Sequence, residues 1–121
     1  MVLDERPTTV SEEQALDPAL LDPTRFSIVS LLVATKWAEF SFVRDAIGMS
    51  DSALSKQITT LGKLNYVDVE KGYVGKRPRT WLRLNPTGRQ ALSRHVAGLR
   101  EIARHSADLA DGYEASEGPV G

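Results

Sequence analysis

Residues 50–84 read SDSALSKQITTLGKLNYVDVEKGYVGKRPRTWLRL, and a change of period inside this stretch decides the fold. Leu54, Ile58 and Leu61 recur at i, i+4 and i+7, the spacing of one helical face. Ser50 stands where a hydroxyl can accept from the free N–H groups of a first helical turn. The helix is expected to end near Leu64, because Asn65 tolerates the left-handed conformation that helix C-termini often need. From Tyr66 the period drops to two. Val67 and Val69 alternate with Asp68 and Glu70, and Leu82 and Leu84 alternate with Trp81 and Arg83. The link from Gly72 to Pro78 reads as a loop, and the two runs as the strands of a β-hairpin.

At about 100° per residue, the helical face opposite Leu54, Ile58 and Leu61 carries Ser52, Lys56, Thr59, Thr60 and Lys63, with Ser55 on its flank. Gln57 falls nearer the core side. In the hairpin, Lys71, Lys76, Arg77 and Arg79 lie within nine residues that contain no acid. Pro78 between the two arginines is expected to restrain the tip and lower the cost of ordering it.

Outward from this block, Asp22-Pro23 marks the start of an earlier helix running to about Thr35. Its apolar residues Phe26, Ile28, Val29, Leu31, Leu32 and Val33 wrap more than one stripe, so both sides should be covered. Trp37 to Phe40 is read as a short strand. Ser41 then caps a second helix that ends at Gly48, with Val43, Ala46 and Ile47 inward. On the far side, Asn85-Pro86 opens a long helix over residues 86–110. Its Leu92, Val96, Leu99, Ile102 and Ala103 repeat at three and four residues, which suits packing along another helix. Residues 1–18 read as an acidic, weakly ordered arm, 19–110 as the folded domain, and 111–121 as a disordered acidic tail.

A chain of 121 residues supports one hydrophobic core and one domain. The absence of cysteine excludes a disulfide framework and thiolate chemistry. No apolar stretch has the length of a signal peptide or a membrane span, so the chain is expected in the cytoplasm. The net charge of −1 hides a strong asymmetry. Residues 50–95 carry nine basic against three acidic groups, whereas residues 1–22 carry one against six and residues 96–121 two against five. Positive charge is concentrated in the helix and hairpin, which is where a polyanion would bind.

The order helix, short strand, helix, helix, hairpin, helix defines the expected fold class. It is mainly α with a small β-wing (α+β): a winged helix-turn-helix with a long C-terminal dimerisation helix. A polar, cationic helix fits the major groove of duplex DNA, where lysine and hydroxyls meet base edges and phosphates. A basic wing can follow the backbone while one guanidinium enters the minor groove. The expected recognition-helix contacts are therefore Ser50, Ser52, Ser55, Lys56, Gln57, Thr59, Thr60 and Lys63. Those of the wing are Lys71, Lys76, Arg77 and Arg79, with Arg77 and Arg79 foremost. Leu92, Val96, Leu99, Ile102 and Ala103 are the expected dimer seam, since a helix this long outreaches a core of this size.

The segments Leu21 to Phe26, Leu54 to Ile58, Tyr66 to Tyr73, Lys76 to Trp81 and Asn85 to Arg89 resemble the small stand-alone winged-helix transcriptional regulators related to the MarR and ArsR groups. The likeness covers roughly residues 19–107. It implies a bacterial or archaeal cytoplasmic, nucleoid-associated repressor or activator, joined as a homodimer through its terminal helices. Many relatives carry histidine at the position of Gln57 and glycine at that of Asn65, and the acidic N-terminal arm is not part of the pattern.

Blander readings compete with each feature. Any solvated helix can show Lys, Ser and Thr opposite its core, and it is the neighbouring basic wing that favours DNA. The fold could instead serve as a protein-interaction module without DNA. Trp37, Phe40, Phe42 and Trp81 could line a pocket for a small-molecule effector, but core packing is the favoured reading. His95 and His105 do not share a helical face, so they read as surface or interface histidines and no metal or other cofactor is expected. No catalytic motif is present, and no enzyme activity is expected.

Overall fold

The computed structural model describes residues 16–113 and 118–119, so residues 1–15 of the acidic arm and most of the tail lie outside the described residues. A short 3-10 turn, Pro18–Leu21, leads into α1 (Pro23–Val33). Then follow β1 (Ala38–Glu39), α2 (Phe40–Ile47), α3 (Asp51–Lys63), β2 (Val67–Val74), β3 (Arg77–Leu84) and α4 (Pro86–Asp111). The three strands form one antiparallel sheet in the order β1-β3-β2. Among the described residues no helix is long and apolar enough to cross a membrane.

Local side-chain chemistry sets the helix starts. Asp22 Oδ1 accepts from the Thr24 N–H at 2.9 Å, Ser50 Oγ from Ala53 N–H at 3.1 Å, and Asn85 Oδ1 from Gly88 N–H at 2.9 Å. Each cap satisfies a donor that the helix leaves unpaired. The α2 start departs from expectation: Glu39 is the N-cap residue and makes no side-chain cap, while Ser41 lies inside the helix. Strand β1 abuts α2 directly and leaves no room for a separate capping turn. Ala46, expected inward, is exposed. Gly48 ends α2 with φ 79°, and Asn65 follows α3 with φ 61°, where the Tyr66 N–H reaches back to the Leu61 carbonyl at 3.0 Å.

The core joins α1, α2, α3, the sheet and the start of α4. Ile28, Leu32, Val43, Leu54, Leu61 and Leu82 are completely buried. Each such side chain contributes roughly 1.5–3 kcal/mol by leaving water. Asp17, assigned to the weakly ordered arm with Pro18, belongs to this folded body. Its N–H donates to His95 Nδ1 at 2.9 Å, and its carboxylate accepts from the Tyr66 hydroxyl at 2.5 Å and from the Ala19 N–H at 2.9 Å. His95 is accordingly no surface residue: it is fully buried, with the Phe26 ring edge-on at 5.6 Å.

Helix α4 has two parts. Ala91, Leu92, His95 and Gly98 are buried against the body, whereas every residue from Leu99 to Asp111 is exposed or half-buried. Leu92, 7% exposed, is a core residue, and Val96 packs against the core. These two positions of the expected seam therefore face inward. Leu99, at 39% exposed, half-buried Ile102 and exposed Ala103 remain open to a partner, and exposed Leu109 lies farther along the same helix.

Candidate nucleic-acid interface

The outer face of α3 presents Ser52, Ser55, Lys56, Thr59, Thr60 and Lys63, all exposed. Ser50 is occupied by its capping role, and its hydroxyl lies 3.4 Å from that of Ser52. The Thr60 hydroxyl donates to the Lys56 carbonyl at 3.2 Å, which leaves its lone pairs outward. Gln57 is half-buried, and its Oε1 accepts from Arg25 Nη1 at 3.1 Å.

Arg25 was not among the expected site residues. It sits in the first turn of α1 and lines a shallow groove with Ser55, Lys56, Gln57, Thr59 and Thr60. Asp22 at 3.1 Å and the Ala19 carbonyl at 2.8 Å hold it there. A second charge cluster braces the other end of α3. Arg44 pairs with Asp45 at 2.8 Å and with Asp51 at 2.9 Å. The two contacts raise the Arg44 guanidinium above its usual range, through Asp45 first, and the same bond lowers the Asp45 carboxyl. Asp51, the one acid of α3, keeps its side chain 73% exposed, and Arg44 offsets its charge.

The hairpin is tighter than the sequence suggested. Strand pairing continues to Val74 opposite Arg77, leaving Gly75 and Lys76 as a two-residue turn. Gly75 has φ 63°, as the first central position of a type II′ turn requires. Pro78 lies within β3 opposite Tyr73 and does not restrain the tip. Strand β1 pairs only with Trp81 and Leu82, so β3 has a free outer edge at Pro78, where a missing N–H is tolerated.

Strand alternation divides the wing residues between two faces. Lys71 and Thr80, opposite one another in the ladder, line a groove with Asp51, Ser55 and Thr59 of α3. Tyr73, 71% exposed, continues the Lys71 side toward the tip. Arg79 belongs to the other face, where its Nε meets Glu39 Oε1 at 3.2 Å. Lys76 and Arg77 at the tip are exposed. The expected pair of equivalent arginines is thus unequal: Arg77 is open, and Arg79 is half-buried against an internal carboxylate. Tyr73 and Thr80 could have been found by extending the period-two pattern through the presumed loop, whereas Arg25 has no local signal.

The four aromatic residues favoured as core packing also divide. Phe40 packs against the core, but Trp37 is 37% and Phe42 51% exposed, and both border a groove with Trp81. Arg83 stacks over Trp37, 4.8 Å from the ring centroid, and pairs with Asp68 at 2.6 Å. That pairing, then the Asn85 amide, lowers the Asp68 carboxyl below its usual value.

Comparison with known proteins agrees with this geometry. An uncharacterised protein of Methanocaldococcus jannaschii is 20% identical over 81 residues, covering 67% of this chain and 88% of the relative. A transcriptional regulator homologue from Pyrococcus horikoshii shares the fold with a TM-score of 0.68 at 23% identity, covering 73% of this chain and 87% of that one. The zinc-responsive MarR family member ZitR of Lactococcus lactis superposes with a TM-score of 0.51 at 17% identity, covering 74% and 61%. A mutant of that regulator has been solved in complex with DNA. The sequence model of the winged helix DNA-binding domain matches residues 24–103, so this chain, with its capped third helix and basic hairpin, belongs to that family.

Proposed function

We propose that this chain is a sequence-specific transcriptional regulator, acting as a repressor, that binds a pseudo-palindromic duplex operator as a homodimer. The observation that carries the reading is the groove in which Ser55 and Thr59 of α3 meet Lys71 and Thr80 of the wing. Helix and hairpin together bring three hydroxyls and Lys71 to one groove, beside Asp51 and the apolar Phe40, Ile58, Val69 and Leu82. On this reading α3 enters the major groove with Lys56, Ser52 and Ser55 toward base edges, while Thr59, Thr60 and Lys63 hold phosphates. Lys76 and Arg77 carry the wing tip to the adjoining minor groove. Gln57 and Arg79 play a secondary part, because each is already bonded inside the protein.

The exposed half of α4 supports the dimer, with Leu99, Ile102 and Ala103 as the seam. Two recognition helices related by a twofold axis would meet half-sites about one helical turn apart, or a multiple of it. A regulator of this kind works in the cytoplasm, at the nucleoid.

Selection of bound sites from random DNA, followed by anisotropy titrations of the selected site at roughly 50 and 200 mM salt, tests the proposal. Affinity should fall steeply, with a log–log slope of about −0.9 per phosphate neutralised. Failure to enrich any sequence, or affinity indifferent to salt, would sink it and favour a protein-interaction role.

A further inference from the structure

We propose that the sheet face turned away from α3 carries a second site, a cleft between Trp37 and Trp81 that binds a small organic cation of the quaternary ammonium type. The strand ladder sets Glu39, Trp81 and Glu70 side by side across β1, β3 and β2, so the three side chains share one face. Lys71 and Thr80, one residue along in each strand, project to the opposite face with α3. Binding here does not compete with the α3 surface.

The strand backbone leaves room for one of the two indoles. A Cβ at Gly72 would stand 3.1 Å from Trp81 Cζ3, so the missing side chain lets the indole lie against the strand. Trp37 lines the cleft with Trp81 and Glu70, and Phe42 extends the adjoining groove. This corner already holds one cation in a partly dry environment. The guanidinium of Arg83 lies over Trp37, and its buried Nε has no hydrogen-bond partner among the described residues. The face of the indole offsets part of that desolvation.

The rim supplies charge complementarity. Glu39 is paired with Arg79 and Asp45 with Arg44. Glu70 lines the cleft with both tryptophans and makes no ion pair or side-chain hydrogen bond among the described residues. A carboxylate beside two indoles, without a cation of its own, matches a ligand with diffuse positive charge and apolar methyl groups. Cation–π contacts at such half-exposed sites are modest, so affinity on the order of millimolar is expected.

The chain has two tryptophans, and both line this cleft, so intrinsic fluorescence reports on it directly. The full chain, without DNA, would be titrated with choline chloride at constant ionic strength, and separately with the neutral isostere 3,3-dimethylbutan-1-ol. Choline should give a saturable emission change at least about fivefold tighter than the alcohol. Glu70→Gln, an exposed substitution that leaves circular dichroism unchanged, should weaken choline several-fold. Identical non-saturating drift with both compounds, or a Glu70→Gln variant that binds choline like the parent chain, would overturn the site. Because no DNA is present, this outcome and that of the operator experiment are independent.

Discussion

At Gly88, in the first turn of α4, a Cβ would stand 2.4 Å from the Tyr66 carbonyl oxygen and 2.6 Å from Leu84 Cδ1. The carbonyl belongs to backbone, which cannot swing aside, and its oxygen also accepts from the Asn85 N–H at 2.9 Å. Gly88→Ala should therefore cost about 2–3 kcal/mol, read as a fall in the urea midpoint with an unchanged slope. Nearby, the Tyr66 hydroxyl is pushed up to about 12, by burial first and then by its hydrogen bond to Asp17. The folded state thus holds this proton more tightly than the unfolded chain does. Its contribution is intact below the ordinary phenol value and drains away as pH rises from about 10 to about 12. Urea midpoints compared across that window should fall more steeply for the parent chain than for Tyr66→Phe. Equal slopes would remove the phenol from the account.

At the scale of elements, the proposed DNA contacts of the helix and of the wing can be tested separately. Arg77→Ala should weaken operator binding by about 1 kcal/mol, and Arg79→Ala by less, because Arg79 already spends part of its charge on Glu39. Anisotropy titrations of the two variants would rank them, and a larger loss at Arg79 would refute the division of faces. Lys56→Ala should also relax base preference at one or two positions in a repeated site selection. The caps at Asp22, Ser50 and Asn85 were legible in the sequence because each bond spans two or three residues. The sequence shows the wing as basic but not how tight it is, since Gly72 and Pro78 look like loop residues and only the ladder shows them paired within strands. Contacts that join remote parts of the chain left no local trace. Arg25 reaches Gln57 across 32 residues, and Asp17 reaches His95 across 78. Leu92 and Leu99 illustrate the same limit: both fit one apolar stripe, and only the extent of the body beneath α4 tells which is covered.

For the whole molecule, the exposed half of α4 is the feature that asks for a partner. Leu99→Glu should shift the sedimentation mass toward the monomer, because a charge at the centre of a helix seam loses its water without gaining a counter-charge. An unchanged mass would place the dimer surface elsewhere. The two ends of α4 also have different attachments. Its first turn is clamped at Gly88 and tied through Asn85 to Asp68, which in turn holds Arg83 in β3. Its last turns stand clear of the body. A 26-residue helix is about 39 Å long. In a dimer joined at the free end, residues 99–111 would be a lever rooted in the packed stretch from Gly88 to Gly98, and through Asn85 and Asp68 that root reaches the base of the hairpin on each half of the molecule.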